Sequence, residues 1–119
     1  MGKRTRREPF IHDQVWGKAA DKAKTDATHM TITRTLEVLL ASFVDGKITA
    51  TGRLPQREGN RARHPVNIDS DVWNAAQSLM PAGVTSMGGL CELLLDGYAK
   101  GRLTVTVSAS GSIGDGADT

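Results

Sequence analysis

Pro9-Phe10-Ile11-His12-Asp13-Gln14-Val15-Trp16 and Val66-Asn67-Ile68-Asp69-Ser70-Asp71-Val72-Trp73 are two versions of one pattern, and together they decide the fold. A shift of 57 residues places Val15-Trp16 on Val72-Trp73, Ile11 on Ile68, Ala19 on Ala76 and, upstream, Arg6 on Arg63. Further along, Glu37, Leu39, Leu40, Gly46 and Thr49 match Glu92, Leu94, Leu95, Gly101 and Thr104 at a shift of 55. One two-residue deletion reconciles the shifts, and it falls at Met80-Pro81-Ala82-Gly83, a helix-ending sequence where a length change is tolerated. The chain is therefore an internal duplication of a unit of about fifty residues.

Each copy reads as a short strand followed by two helices. Pro9-Phe10-Ile11-His12 and Val66-Asn67-Ile68-Asp69 alternate apolar and polar residues, with a proline at or beside the start. A first helix is expected over about 14–24 and again over about 71–80. It buries Val15, Trp16, Ala19 and Ala23 in one copy and Val72, Trp73, Ala76 and Leu79 in the other. The second helix opens at the N-capping hydroxyls Thr31 and Ser86. It carries Ile32, Leu36, Leu39, Leu40 and Phe43, matched by Met87, Cys91, Leu94, Leu95 and Tyr98, and it ends at Gly46 and Gly101. The alternation in Ile48-Thr49-Ala50-Thr51 and Leu103-Thr104-Val105-Thr106-Val107 suggests a trailing strand after each copy.

These readings divide the chain into a basic arm (1–8), the first copy with its trailing strand (9–52), a basic linker (53–64), the second copy with its trailing strand (65–107) and a Gly/Ser/Asp-rich tail (108–119), read as disordered. A single strand cannot satisfy its own backbone, and a unit this small cannot bury its own apolar stripes, so each copy needs a partner.

Charge is distributed unevenly beneath a net +2. Lys3, Arg4, Arg6 and Arg7 face only Glu8 in the arm, and Lys47, Arg53, Arg57, Arg61 and Arg63 face only Glu58 between Lys47 and His64. The rest of the chain holds six basic and eleven acidic residues. Basic segments on an acidic body suit a phosphate backbone, while a plainer account makes them solvated, solubilising runs. With 39% hydrophobic but only 4% aromatic residues, the core must be aliphatic and shallow. No stretch approaches a membrane span and Cys91 has no partner for an internal disulfide, so a cytoplasmic, nucleoid-associated location is expected.

The strand Val66-Asn67-Ile68, the helix start Asp71-Val72-Trp73 and the run from Thr85-Ser86-Met87 into Leu90, Cys91, Leu95 and Tyr98 resemble the ribbon-helix-helix DNA-binding family of Arc-type and methionine-repressor-type proteins. The first copy resembles it through Phe10-Ile11, Gln14-Val15-Trp16 and Met30-Thr31-Ile32 leading into Leu36, Leu40 and Phe43, so that about 80 of the 119 residues are covered. The resemblance implies a mainly α fold with short β: a tandem ribbon-helix-helix in which two strand-helix-helix copies form an intrachain pseudo-dimer. Each chain lending one copy to two shared ribbons is the alternative. It also implies that the antiparallel ribbon enters the major groove of double-stranded DNA, as in a small repressor or architectural binder of bacteria, plasmids or phages.

Strand alternation turns Pro9, Ile11, Val66 and Ile68 toward the helices and Glu8, Phe10, His12, Pro65, Asn67 and Asp69 outward, with Arg6 and Arg63 on the outward side at equivalent positions. The candidate DNA contacts are then Arg4, Arg6, Arg7, Arg57, Arg61 and Arg63 on phosphates, with Asn67 and Phe10 on base edges. Thr31, Thr33, Ser86 and Gly88 at the second-helix starts complete the set. The arginines touch no expected core, so their removal should hardly change stability. Phe10 also suits a partly buried strand position, and Gly88 a purely packing role.

No catalytic constellation is present. His12, His29 and His64 fall on different elements, Cys91 lies on an apolar helix face, and neither a phosphate-binding glycine loop nor a Ser/His/Asp signature occurs. No cofactor or metal is expected. The other reading is a protein-interaction module, antitoxin-like or a phage-encoded inhibitor, which the acidic helices and the few base-reading side chains favour.

Overall fold

A computed structural model describes residues 3–26, 30–50 and 59–105. Element order is β1 (Arg4–Arg7), β2 (Phe10–His12), α1 (Asp13–Thr25), α2 (Ile32–Val44), β3 (Arg61–Arg63), β4 (Val66–Asp69), α3 (Ser70–Ser78) and α4 (Met87–Ala99), a ββαα unit occurring twice. The result is a small mixed α/β molecule with four helices and two small antiparallel sheets.

The helices form where capping and periodicity require them. Thr31 Oγ1 accepts the Arg34 N–H at 3.1 Å and Ser86 Oγ accepts the Gly89 N–H at 3.0 Å, so both hydroxyls cap as expected. Gly46 and Gly101 follow the helix ends with φ of +78°, where a side chain would be strained. Asp13 in the first turn of α1, with Lys22 and Lys24 in its last, complements the helix dipole. α3 is shorter, 9 residues against 13, because Pro81 follows closely and cannot continue the helix. Its shortening leaves Leu79 outside the helix and 51% exposed, whereas the apolar pattern places it in the core.

Packing crosses between the copies: α1 lies on α4, α2 on α3, and α2 meets α4 between them. Ile11, Leu36, Leu40, Ile68, Leu90 and Leu95 are completely buried at this junction. Neither copy owns a core of its own. Burying each such side chain is worth roughly 1.5–3 kcal/mol, and each copy depends on the other for most of it.

The strands depart from expectation. Residues 9–12 do not pair with 66–69; each pairs instead with the basic stretch ahead of the other copy, β1 with β4 and β2 with β3. Arg4–Arg7 and Arg61–Arg63, read as free arm and linker, are strands. Both ladders keep one register, partner numbers adding to 73 throughout. Backbone bonds from His64 N–H to Pro9 O (3.1 Å), Ser70 N–H to Lys3 O (2.7 Å) and Asp13 N–H to Asn60 O (3.0 Å) carry that register across the prolines and past both ends. The pairing is symmetrical under the 57-residue shift: Arg4 opposite Asp69 maps to Arg61 opposite His12, and Arg6 opposite Asn67 to Arg63 opposite Phe10. Glu8 and Pro65 sit at its centre.

The trailing strands are absent over the described residues. Residues 48–50 and 103–105 are irregular, and their alternation instead packs Ile48, Ala50, Leu103 and Val105 against the core. The remainder of those stretches, the first half of the linker (53–58) and the tail beyond residue 105 lie outside the described residues.

Candidate nucleic-acid interface

A two-stranded ribbon has an outer edge on each strand, and two buried glutamates finish those edges. Glu37 on α2 accepts the Asp69 N–H at 2.8 Å and both guanidinium nitrogens of Arg4 at 2.9 and 3.0 Å. Glu92 on α4 accepts the His12 N–H at 2.8 Å and holds Arg61 through two bonds of 2.8 Å. Arg4 and Arg61 are equivalent at a shift of 57, and Glu37 and Glu92 at 55, so one latch is built twice. Each joins a strand end, the facing strand and the helix beneath, and a slip of one residue would break both. Burial pushes the Glu37 carboxyl up, but the Asp69 N–H and the Arg4 and Arg34 guanidiniums outweigh it and hold the group below its ordinary value. Arg61 is held above the ordinary guanidinium value mainly by its bonds to Glu92.

A second repeated contact lies nearer the centre. The Arg7 guanidinium sits 5.4 Å from the Trp73 ring centre, and its equivalent His64 stacks on Trp16 at 4.5 Å. The Arg7 Nε is sealed from water, and His64 Nε2 lies 3.0 Å from Asp13 Oδ1. The arginines are thus not all free arms. Arg4 and Arg61 are tied to buried carboxylates and Arg7 to a core tryptophan, so the expectation that they touch no core is corrected.

What remains outward is compact. Arg6 (side chain 65% exposed), Arg63 and Asn67 are exposed, and so is Phe10, at 53%. Arg63 covers the Phe10 ring at 5.2 Å, and Arg6 meets Glu8 at 3.5 Å. Asn67 faces solvent as the alternation requires. His12 does not: it is completely buried, with Nδ1 capping α1 through the Gln14 N–H at 3.2 Å. Its equivalent Asp69 caps α3, its Oδ1 accepting the Asp71 N–H at 2.8 Å and the Val72 N–H at 3.3 Å. Both leave the outward face because the chain must turn into a helix there and the orphan N–H groups claim the side chain.

The second-helix starts flank the ribbon unequally. Thr31 is exposed and Thr33 half-buried at the start of α2, next to Arg34, which the sequence reading missed and which reaches Glu37. On α4, Ser86 is exposed but Gly88 is buried against β2, where an added Cβ would lie 2.6 Å from the Phe10 carbonyl oxygen. Gly88 therefore serves close packing of helix on strand. Arg57 lies outside the described residues.

Among the described residues no group of three or more His, Cys, Asp or Glu side chains could hold a metal ion, and no helix is long and apolar enough to cross a membrane. Cys91 is completely buried and its thiol is pushed up to about 12 by desolvation, unsuited to nucleophilic work. No family model, curated protein or solved structure matches this chain.

Proposed function

We propose that this protein binds double-stranded DNA as a tandem ribbon-helix-helix, laying the outward face of its ribbon in the major groove. The observation that carries the reading is the single-register ribbon, with Arg6, Arg63, Asn67 and Phe10 outward and both edges latched to the helices beneath. A two-stranded ribbon fits a groove about 12 Å wide. Its latches hold it rigid, so little ordering entropy is lost on docking. Arg6 and Arg63 lie to either side of the centre to meet phosphates or guanine edges, and Asn67 is suited to a bidentate contact with adenine. The chain has no need of a second copy to complete the ribbon.

A protein-interaction role is the second reading, favoured by the exposed Phe10 ring and by Glu8 at the ribbon centre, which repels phosphate. A gel shift with random duplex across a salt series separates the two. DNA binding predicts retention at low salt, with Arg6→Ala plus Arg63→Ala flattening the salt slope by about one unit per lost contact. These two outward arginines hold no buried carboxylate, so melting should move little. No shift at any salt refutes the DNA reading.

A further inference from the structure

We infer that this protein reads an asymmetric duplex site in one orientation, with a hydrogen-bonding half-site beneath Asn67 and Arg6 and a thymine-rich half-site beneath Phe10. The inference rests on the DNA-binding reading and adds the polarity of the site to it. Symmetry of the ribbon backbone makes the two halves geometrically equivalent, so any difference in what they read must come from side chains. On one side of Glu8 and Pro65 the paired outward residues are Arg6 and Asn67; on the other they are Arg63 and Phe10. Asn67 offers both a donor and an acceptor to a purine edge, whereas Phe10 offers neither and contacts thymine methyl groups through its ring. Arg63, though equivalent to Arg6, lies over that ring at 5.2 Å and rides with it.

The flanks reinforce the same direction. Arg4 donates to the Asn67 carbonyl at 3.2 Å and to Glu37, which also receives Arg34, so two half-exposed guanidiniums share one carboxylate beside the Asn67 half. Beside the Phe10 half a single, less exposed guanidinium, Arg61, is matched one to one by Glu92, and the helix start reads Met87-Gly88-Gly89 with no cation. At the flanks the excess of guanidinium over carboxylate thus falls on the side that also carries Asn67, although nearer the centre Arg6 is paired with Glu8 at 3.5 Å and Arg63, among the described residues, is not.

The test begins with selection from a random duplex library by the full chain, followed by attachment of an iron chelate that cleaves DNA to a new cysteine at Gln14→Cys or, separately, Asp71→Cys. Both positions are exposed and lie at opposite ends of the ribbon, and buried Cys91 does not compete for the reagent. The selected site should be non-palindromic, and each variant should cut on one side only, the two variants on opposite sides. Asn67→Ala should lose about tenfold or more of the discrimination at one half-site alone, and Phe10→Ala at the other alone. Cutting on both sides by each variant, a palindromic consensus, or binding without any consensus overturns the polarity while leaving DNA binding intact. Failure to bind any duplex at low salt overturns both.

Discussion

The two copies share a backbone plan and differ in how tightly each second helix grips the ribbon. Around α4 the fit is close: Glu92 is fully buried, holds one arginine through two bonds, and Gly88 lets the helix lie against the Phe10 backbone. Around α2 the latch is more exposed. Thr33 stands where Gly88 stands in the other copy, Arg4 fills the space beside the Asn67 carbonyl, and Glu37 divides itself between Arg4 and Arg34, both more than half exposed. Duplication has preserved the polar latch while leaving each half free to trade rigidity for surface chemistry.

Removing the two latches singly gives the largest expected contrast. Glu92→Ala orphans the His12 N–H at a fully buried residue and takes the carboxylate from Arg61, itself about a third exposed, and should cost about 2–3 kcal/mol. Glu37→Ala should cost clearly less, because Arg4 and Arg34 turn into solvent. Denaturant midpoints of the two variants measure this, and equal losses would erase the tight-versus-loose distinction. Acid sharpens it. The Glu37 carboxyl is held below its ordinary value, so its contribution is present above the unfolded pKa of about 4.3 and is lost as pH falls through the lower folded value. The acid limb of a stability–pH curve should therefore shrink in Glu37→Gln.

Next in size is the helix–strand contact. Gly88→Ala forces a methyl into the Phe10 carbonyl and should cost about 1–3 kcal/mol by thermal melting, since backbone must move. Thr33→Ala, the corresponding exchange in the first copy, should stay within about 1 kcal/mol. A tolerated Gly88→Ala would mean that α4 is free to shift outward.

The smallest contrast involves Phe43 and its counterpart Tyr98. The Tyr98 hydroxyl donates to Asp26 Oδ2 at 2.7 Å, an acceptor Phe43 has no group to use, and Tyr98→Phe should cost about 1–2 kcal/mol. Desolvation, with Asp26 beside it, pushes the phenol up to about 12. Its stabilisation is complete below pH 10 and lost as pH rises from there toward 12. As this is the chain's single tyrosine, absorbance near 295 nm should rise only with that loss. Ordinary titration centred near pH 10 in the folded protein would refute the buried hydroxyl bond.

The helices were legible because their signals are local: capping hydroxyls at Thr31 and Ser86, glycines at 46 and 101, and apolar residues at helical spacing. The basic strands were not. Arg4-Thr5-Arg6-Arg7 and Arg61-Ala62-Arg63 lack apolar alternation, and they are extended because distant strands and buried glutamates hold them so. One signal was available: the shifts that align Glu37 with Glu92 also align Arg4 with Arg61, a charge pair repeated as a pair. Of the outward face, Asn67 and Phe10 followed from alternation, while His12 and Asp69 were diverted by capping and Gly88 by packing. At Ile48 and Leu103 alternation reflects burial of irregular chain, which period alone does not distinguish from a strand.

The ribbon's register also sets a timetable. Its paired residues lie between 49 and 65 positions apart in sequence, so β1 and β2 emerge from the ribosome long before β3 and β4 exist. At about 5–20 residues per second the wait lasts several seconds, far longer than helix formation takes. Through that interval Val15, Leu36 and Leu40 have no second copy to cover them. Neighbouring nascent chains on one message expose the same unsatisfied half at the same moment, and a first copy that closes on another chain's second copy makes a domain-swapped dimer with every native contact in place. Slow translation and high local concentration thus select between the closed single chain and its exchanged twin, a choice that equilibrium contacts alone do not make.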